Sequence, residues 1–284
     1  SAKVISCELP LFGGLFVGEK ENYIVFGQQN LSDDTDKEVI RVVKYDRNWN
    51  RVSSYSLYGA NTYIPFEAGS LRMCETDSKL YIYTCHEMFA EEESSIHHQA
   101  NMTLVLDKTS MTLEDSYYDV GNISWNGYVS HSFNQFIQSD EEYIYRTDHG
   151  DAYPRGISIT RSGIDGYITD VSYTVPVYIP GDGNATGLSV GGMELSENNV
   201  LIAGSMVDIE NEDSYDPYGV RNVFVSITRK DFSKTEMVQL TEYGEDSSII
   251  AATPHLVKLN EHQFVVMWEE YDSKKDKVRL CVCP

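Results

Sequence analysis

An all-β fold is what this sequence predicts, on three observations. Apolar runs of about five residues, rich in β-branched and aromatic side chains, alternate with clusters of Gly, Asn, Asp and Ser. No window keeps apolar residues at helical spacing for three turns; the one weak helical pattern, Met88–His97, is too polar for a core helix. The third observation is a repeat.

The first copy runs GGLFVGEKENYIVFGQQ, an acidic loop, then VIRVVKYDRNWNRVSSYSLY. The second is GSLRMCETDSKLYIYTC, a long loop, then MTLVLDKTSMTLEDSYYDV. The third opens at SHSFNQFIQSDEEYIYRTDHGDAYPRGI and continues as SITRSGIDGYITDVSYTVPV. The fourth is GLSVGGMELSENNVLIAGS, a loop, then VFVSITRKDFSKTEMVQL. The fifth is PHLVKLNEHQFVVMWEEY, then VRLCVCP, where it stops one strand short. Each copy reads strand, tight turn, strand, longer loop, strand, tight turn, strand. The period of roughly 55 to 65 residues suits one four-stranded propeller blade.

An unpaired blade edge invites aggregation, so a ring of blades must close. Val4–Pro10 is a spare strand-like segment and the last copy lacks a strand. The expected fold is therefore a five-bladed β-propeller of four-stranded antiparallel blades, one domain over residues 1–284, in which Val4–Pro10 pairs with Lys277–Cys283. That pairing would bring Cys7 within disulfide reach of Cys281 or Cys283.

Composition narrows the function. The 284 residues are 41% hydrophobic, enough for a sizeable core. Lys and Arg total 22 against 44 Asp and Glu, a formal net charge of −22. Phosphate contacts need basic patches, so nucleic acid is not an expected partner. No run approaches the apolar length of a membrane span, and no membrane insertion is expected. A strand-like run opens directly after Ser1, so the absence of a signal peptide carries no information on location. Five cysteines without a CxxC pair argue against a zinc framework. Tyr, with 20 copies, suits half-buried strands and wet binding surfaces alike.

In such a blade the lead-in to the first strand and the loop between the second and third strands share one face. These loops are long and acidic, carrying for example Asp33, Asp34, Asp36, Glu87, Glu91, Asp208 and Asp216. Such a surface either keeps the protein soluble or attracts a cation. No loop has the spacing of a known calcium motif, so no cofactor is implied and calcium is the one ion considered. The third copy carries the densest chemistry. His131 and Gln135 open its first strand, and the loop His149, Asp151, Tyr153 and Arg155 returns to the same face. Glu67 and His255 stand at equivalent places in other copies. These eight residues form the expected ligand-binding mouth. A metal-assisted hydrolase using His131, His149, Asp151 and His255 is an alternative.

The SHSFNQF…DHGDAYPR segment resembles uncharacterised extracellular propeller proteins of Gram-positive gut-type bacteria, which implies an extracellular or cell-surface location and no particular activity. Five-bladed propellers also include arabinanase-like and fructosidase-like glycosidases, which place two catalytic carboxylates where first strands begin. Here those places read Gly13-Gly14, Glu67-Ala68, His131-Ser132, Thr186-Gly187 and Pro254-His255, with one carboxylate. The sequence thus points to a monomeric, non-catalytic module that binds a glycan or protein ligand, with a propeller glycoside hydrolase as the alternative.

Overall fold

A computed structural model describes residues 3–67, 69–118, 132–150, 155–176, 185–209 and 215–284. Among them no helix forms, so none could cross a membrane. The first sheet takes β1 (Leu11–Val17), β2 (Asn22–Gly27), β3 (Glu38–Tyr45) and β4 (Arg51–Tyr58), in that order. The second takes β5 (Ile64–Pro65), β6 (Arg72–Glu75), β7 (Lys79–Ala90), β8 (His97–Asp107) and β9 (Leu113–Tyr117). There β5 and β6 both pair with β7. The third runs β10 (Ser132–Ser139), β11 (Ile144–Gly150), β12 (Gly156–Ser162), β13 (Ile168–Pro176). The fourth runs β14 (Leu188–Leu195), β15 (Asn199–Met206), β16 (Asn222–Arg229), β17 (Thr235–Gln239). The fifth holds β18 (Ile249–Ala251), β19 (His255–Asn260), β20 (Gln263–Asp272) and β21 (Lys277–Cys283). This is the propeller class that the repeat predicts: five successive antiparallel meanders.

The turns explain why each copy folds alike. In four sheets the turn after the first long strand closes with the same backbone bond: Gly18 N–H to Glu21, Thr76 to Lys79, Asp140 to Tyr143 and Ser196 to Asn199, at 2.9–3.2 Å. The pattern Met88–His97 is no helix. It is the tip of an extended hairpin of β7 and β8, whose ladder continues outward to Ala90↔His97.

The chain forms two compact units. The first comprises residues 1–146 and 160–170, the second 147–159 and 171–284. In the first unit, β7 and β8 feed two cores by simple alternation. Leu80, Ile82, Met102, Leu104 and Leu106 face one way, with Val25, Val42 and Leu71. Tyr81, Tyr83 and Val105 face the other, with Ile137 and Ile144. In the second unit Leu201, Ala203, Val223 and Val225 pack against Leu256, Val266 and Trp268.

Adjacent sheets approach closely at paired glycines. A Cβ on Gly13 would lie 2.7 Å from the Phe66 ring, and one on Gly14 2.8 Å from Leu71. The second unit repeats this: a Cβ on Gly191 would lie 1.7 Å from the Pro254 carbonyl oxygen. Both glycine pairs sit at register shifts, between Phe12 and Gly14 and between Val190 and Gly192, so the strand bulges where its neighbour presses in.

The ends depart from expectation. Residues 3–10 form no strand, and β21 pairs with β20. The predicted pairing of Val4–Pro10 with Lys277–Cys283 is therefore not made. The N-terminal segment is held by the first sheet instead. Leu9 is buried with Ile24, Phe26, Val43 and Tyr45, and Ile5 and Trp49 pack at its edge. Glu8 accepts hydrogen bonds from Arg51 at 2.7 Å and Arg41 at 3.2 Å. The predicted Cys7 bridge fails with the pairing: all five cysteines are free, and Cys7 is exposed.

The glycine contacts give a sharp expectation. Gly191→Ala should lower stability by about 1–3 kcal/mol or more, because the obstacle is backbone and cannot rotate away. Gly163→Ala, whose Cβ would meet nothing nearer than Asp165 at 3.5 Å, should leave the melting temperature unchanged. Equal melting temperatures in both variants would refute the close-approach account.

Candidate functional site

The eight predicted residues divide. His131, Asp151 and Tyr153 lie outside the described residues. Glu67 is exposed in the turn after β5, and its backbone carbonyl accepts bonds from the Cys85 thiol and Gln99. Gln135 is fully buried and bolts neighbouring strands together. Its Oε1 accepts from the Ser70 N–H at 2.8 Å, and its Nε2 donates to Asn101 Oδ1 at 2.7 Å. Both ends of that amide are used within the first unit, which makes Gln135 a structural residue.

His149 and Arg155, in the second unit, do come together at one platform. It is the segment Ala185-Thr186-Gly187 leading into β14. His149, next to the last residue of β11, is buried, and its Nε2 lies 2.7 Å from Thr186 Oγ1. Thr186 Oγ1 also accepts from the Leu188 N–H at 3.3 Å. Arg155 donates to the Ala185 carbonyl. Gly187 has φ +70°, and a Cβ there would meet Val207 at 2.5 Å and Pro217 at 3.4 Å. The β15–β16 connection is thereby pressed onto the same platform. Burial, with the positive charges of Arg221 and Arg155, pushes the His149 pKa down to about 3, so the ring is neutral at pH 7. His255, by contrast, is exposed at the start of β19. Among the described residues no group of three His, Cys, Asp or Glu is placed to hold a metal ion.

A separate cleft of about 670 Å³ opens in the same unit. Asp208 and Asp216 enter it from the β15–β16 connection, Glu242 and Glu245 from the β17–β18 connection. Asn222, Gln239 and Thr241 add amide and hydroxyl groups. The second connection is tightly clamped. Asn222 Oδ1 accepts from the Tyr243 N–H at 2.6 Å and the Thr241 hydroxyl at 3.0 Å, and its Nδ2 donates to the Tyr243 carbonyl at 3.2 Å. Tyr243 then donates its phenol to Glu270, which also takes bonds from Trp268 Nε1 at 3.2 Å and from Arg279. Burial works against the Glu270 carboxylate, but these bonds prevail and hold its pKa below the usual range. Burial and the same carboxylate push the Tyr243 phenol up to about 12.

Sequence reasoning missed Glu242 and Glu245. The face rule was the right signal, since a connection leading into the next sheet's first strand shares the face of the β15–β16 loop. Carboxylates are expected at the strand starts, and TEYGED lies several residues before one.

No family model matches this chain, and no curated protein matches it. Solved structures do. The GH43 BlXynB protein from Bacillus licheniformis matches over 96% of this chain and 52% of its own, at 10% identity and TM-score 0.44. The α-L-arabinanase of Cellvibrio cellulosa in complex with arabinohexaose matches over 95% and 89%, at 7% identity and TM-score 0.41. The GH32 β-fructofuranosidase of Bombyx mori matches over 91% and 54%, at 10% identity and TM-score 0.46. The chain thus spans about half the length of the first of these. The expected non-catalytic binding module has no counterpart among them: they are a GH43 protein, an arabinanase and a GH32 fructofuranosidase. At such identities they bring neither catalytic residues nor a substrate to this chain.

His149 gives the site a pH signature. Between its folded value of about 3 and the ordinary value of 6.5, the unfolded chain binds the proton and the folded one does not. Stability should therefore fall with falling pH through that window, by up to about 1.4 kcal/mol per pH unit from this group. Chemical denaturation at stepped pH should show a shallower slope for His149→Gln than for wild type. Parallel curves would show that His149 is not held neutral.

Proposed function

We propose that this protein hydrolyses glycosidic bonds, acting outside the cell on a polysaccharide or oligosaccharide that binds in the cleft of the second unit. The observation that supports the reading is the cleft's lining: two carboxylates from each of two connections, beside amide and hydroxyl groups. Glycoside hydrolysis needs one carboxyl as acid and a second as base or nucleophile, set across a sugar-sized space. The Gln239 amide offers a donor and an acceptor that match sugar hydroxyls. The clamp on residues 241–243 by Asn222, and of Tyr243 by Glu270, supplies the rigidity that positioned carboxylates require.

The experiment is hydrolysis of a panel of neutral pentose and hexose glycans, followed by Asp208→Asn, Asp216→Asn, Glu242→Gln and Glu245→Gln. One variant from each connection should lose kcat by about 10²–10⁴-fold with an unchanged melting temperature. No product from any glycan, or full activity in all four variants, would reject the reading.

A further inference from the structure

Asp216 and Gly219 line the acidic cleft, and a tight turn joins them. The Gly219 N–H donates to the Asp216 carbonyl at 3.0 Å, and the Tyr218 N–H donates to Asp216 Oδ1 at 2.9 Å. Pro217 takes the first corner of this turn, where its fixed φ suits the bend. The corner is braced from two sides. A Cβ on Gly187 would stand 3.4 Å from the Pro217 Cα, and the Pro217 carbonyl accepts from Arg221 Nη2 at 3.4 Å. Tyr218 takes the second corner, between two residues that line the cleft, and so stands on its rim. It is 77% exposed, more than any other described aromatic side chain. Tyr23, Tyr81, Tyr83 and Tyr145 are fully buried by contrast. A large ring kept in water on a braced turn has apolar area to offer a ligand. Covering it costs little conformational freedom, since the turn is already set and Tyr has only two side-chain torsions.

We infer that Tyr218 is a stacking platform for a sugar ring at the rim of the cleft. A sugar ring has a face of C–H groups, which lies flat on an aromatic ring, while its hydroxyls point outward to water. Tyrosine suits such a place because its body is apolar and its hydroxyl stays wet. A cleft of about 670 Å³ encloses a small ligand. A longer glycan leaves it across the rim, where Tyr218 meets the next ring. Resting on the glycan reading above, this makes the substrate a chain of sugars rather than the glycoside of a single one.

The test compares wild type, Tyr218→Ala and Tyr218→Phe by NMR with arabinohexaose, xylohexaose and cellohexaose, each beside its monosaccharide. Saturation transfer reads binding and product signals read hydrolysis in the same sample. At least one hexasaccharide should bind wild type. Tyr218→Ala should weaken that binding about two- to tenfold, and Tyr218→Phe should keep it, because the ring face and not the hydroxyl makes the contact. Monosaccharide binding and the melting temperature should be the same in all three proteins. Equal hexasaccharide binding by wild type and Tyr218→Ala would overturn the platform while leaving any observed hydrolysis in place. Tyr218→Phe as weak as Tyr218→Ala, a lowered melting temperature in Tyr218→Ala, or no hexasaccharide bound would also overturn it. Binding that depends on the ring, with no product formed, would uphold the platform and reject the proposed activity.

Discussion

The approach of one sheet to the next depends on the absence of a few side chains. At Gly13-Gly14 and at Gly191-Gly192 a neighbouring segment presses so close that a single methyl group would collide with it. Leu71 and Leu256 reach their cores through these gaps, and both are buried. The bulge at each pair is the backbone's answer to the same pressure. Packing of the apolar faces supplies the driving force, but it acts at full strength only at van der Waals distance. The glycines set that distance.

Much of this was legible in the sequence because sheet formation is local. Alternation, turn residues and loop lengths named nearly every strand. The ends were not legible. Val4–Pro10 has strand composition, and a missing strand at the other terminus made a pairing attractive. What decided the outcome was side-chain chemistry at a distance: Glu8 between Arg41 and Arg51, and Leu9 over Phe26 and Tyr45. No periodicity reports such contacts.

The site shows a similar division. His149 and Arg155 stood out because one short loop crowds His, Asp, Tyr and Arg together. Gln135 stood out as a polar residue on an inner strand, yet its amide serves the framework. Glu270 shows the converse: one loop carboxylate among many by sequence, it proves to be a buried anchor with three donors.

The N-terminal segment has a practical meaning for anyone dividing this chain. Ile5 and Leu9 roof the face of the first sheet formed by Ile24, Phe26, Val43 and Tyr45. A fragment begun at the first strand, the boundary a strand map suggests, would strip that roof and present a contiguous apolar and aromatic patch to water. Such patches recruit other molecules. The working edge of this fold therefore lies upstream of its first strand, in residues that have no regular structure at all.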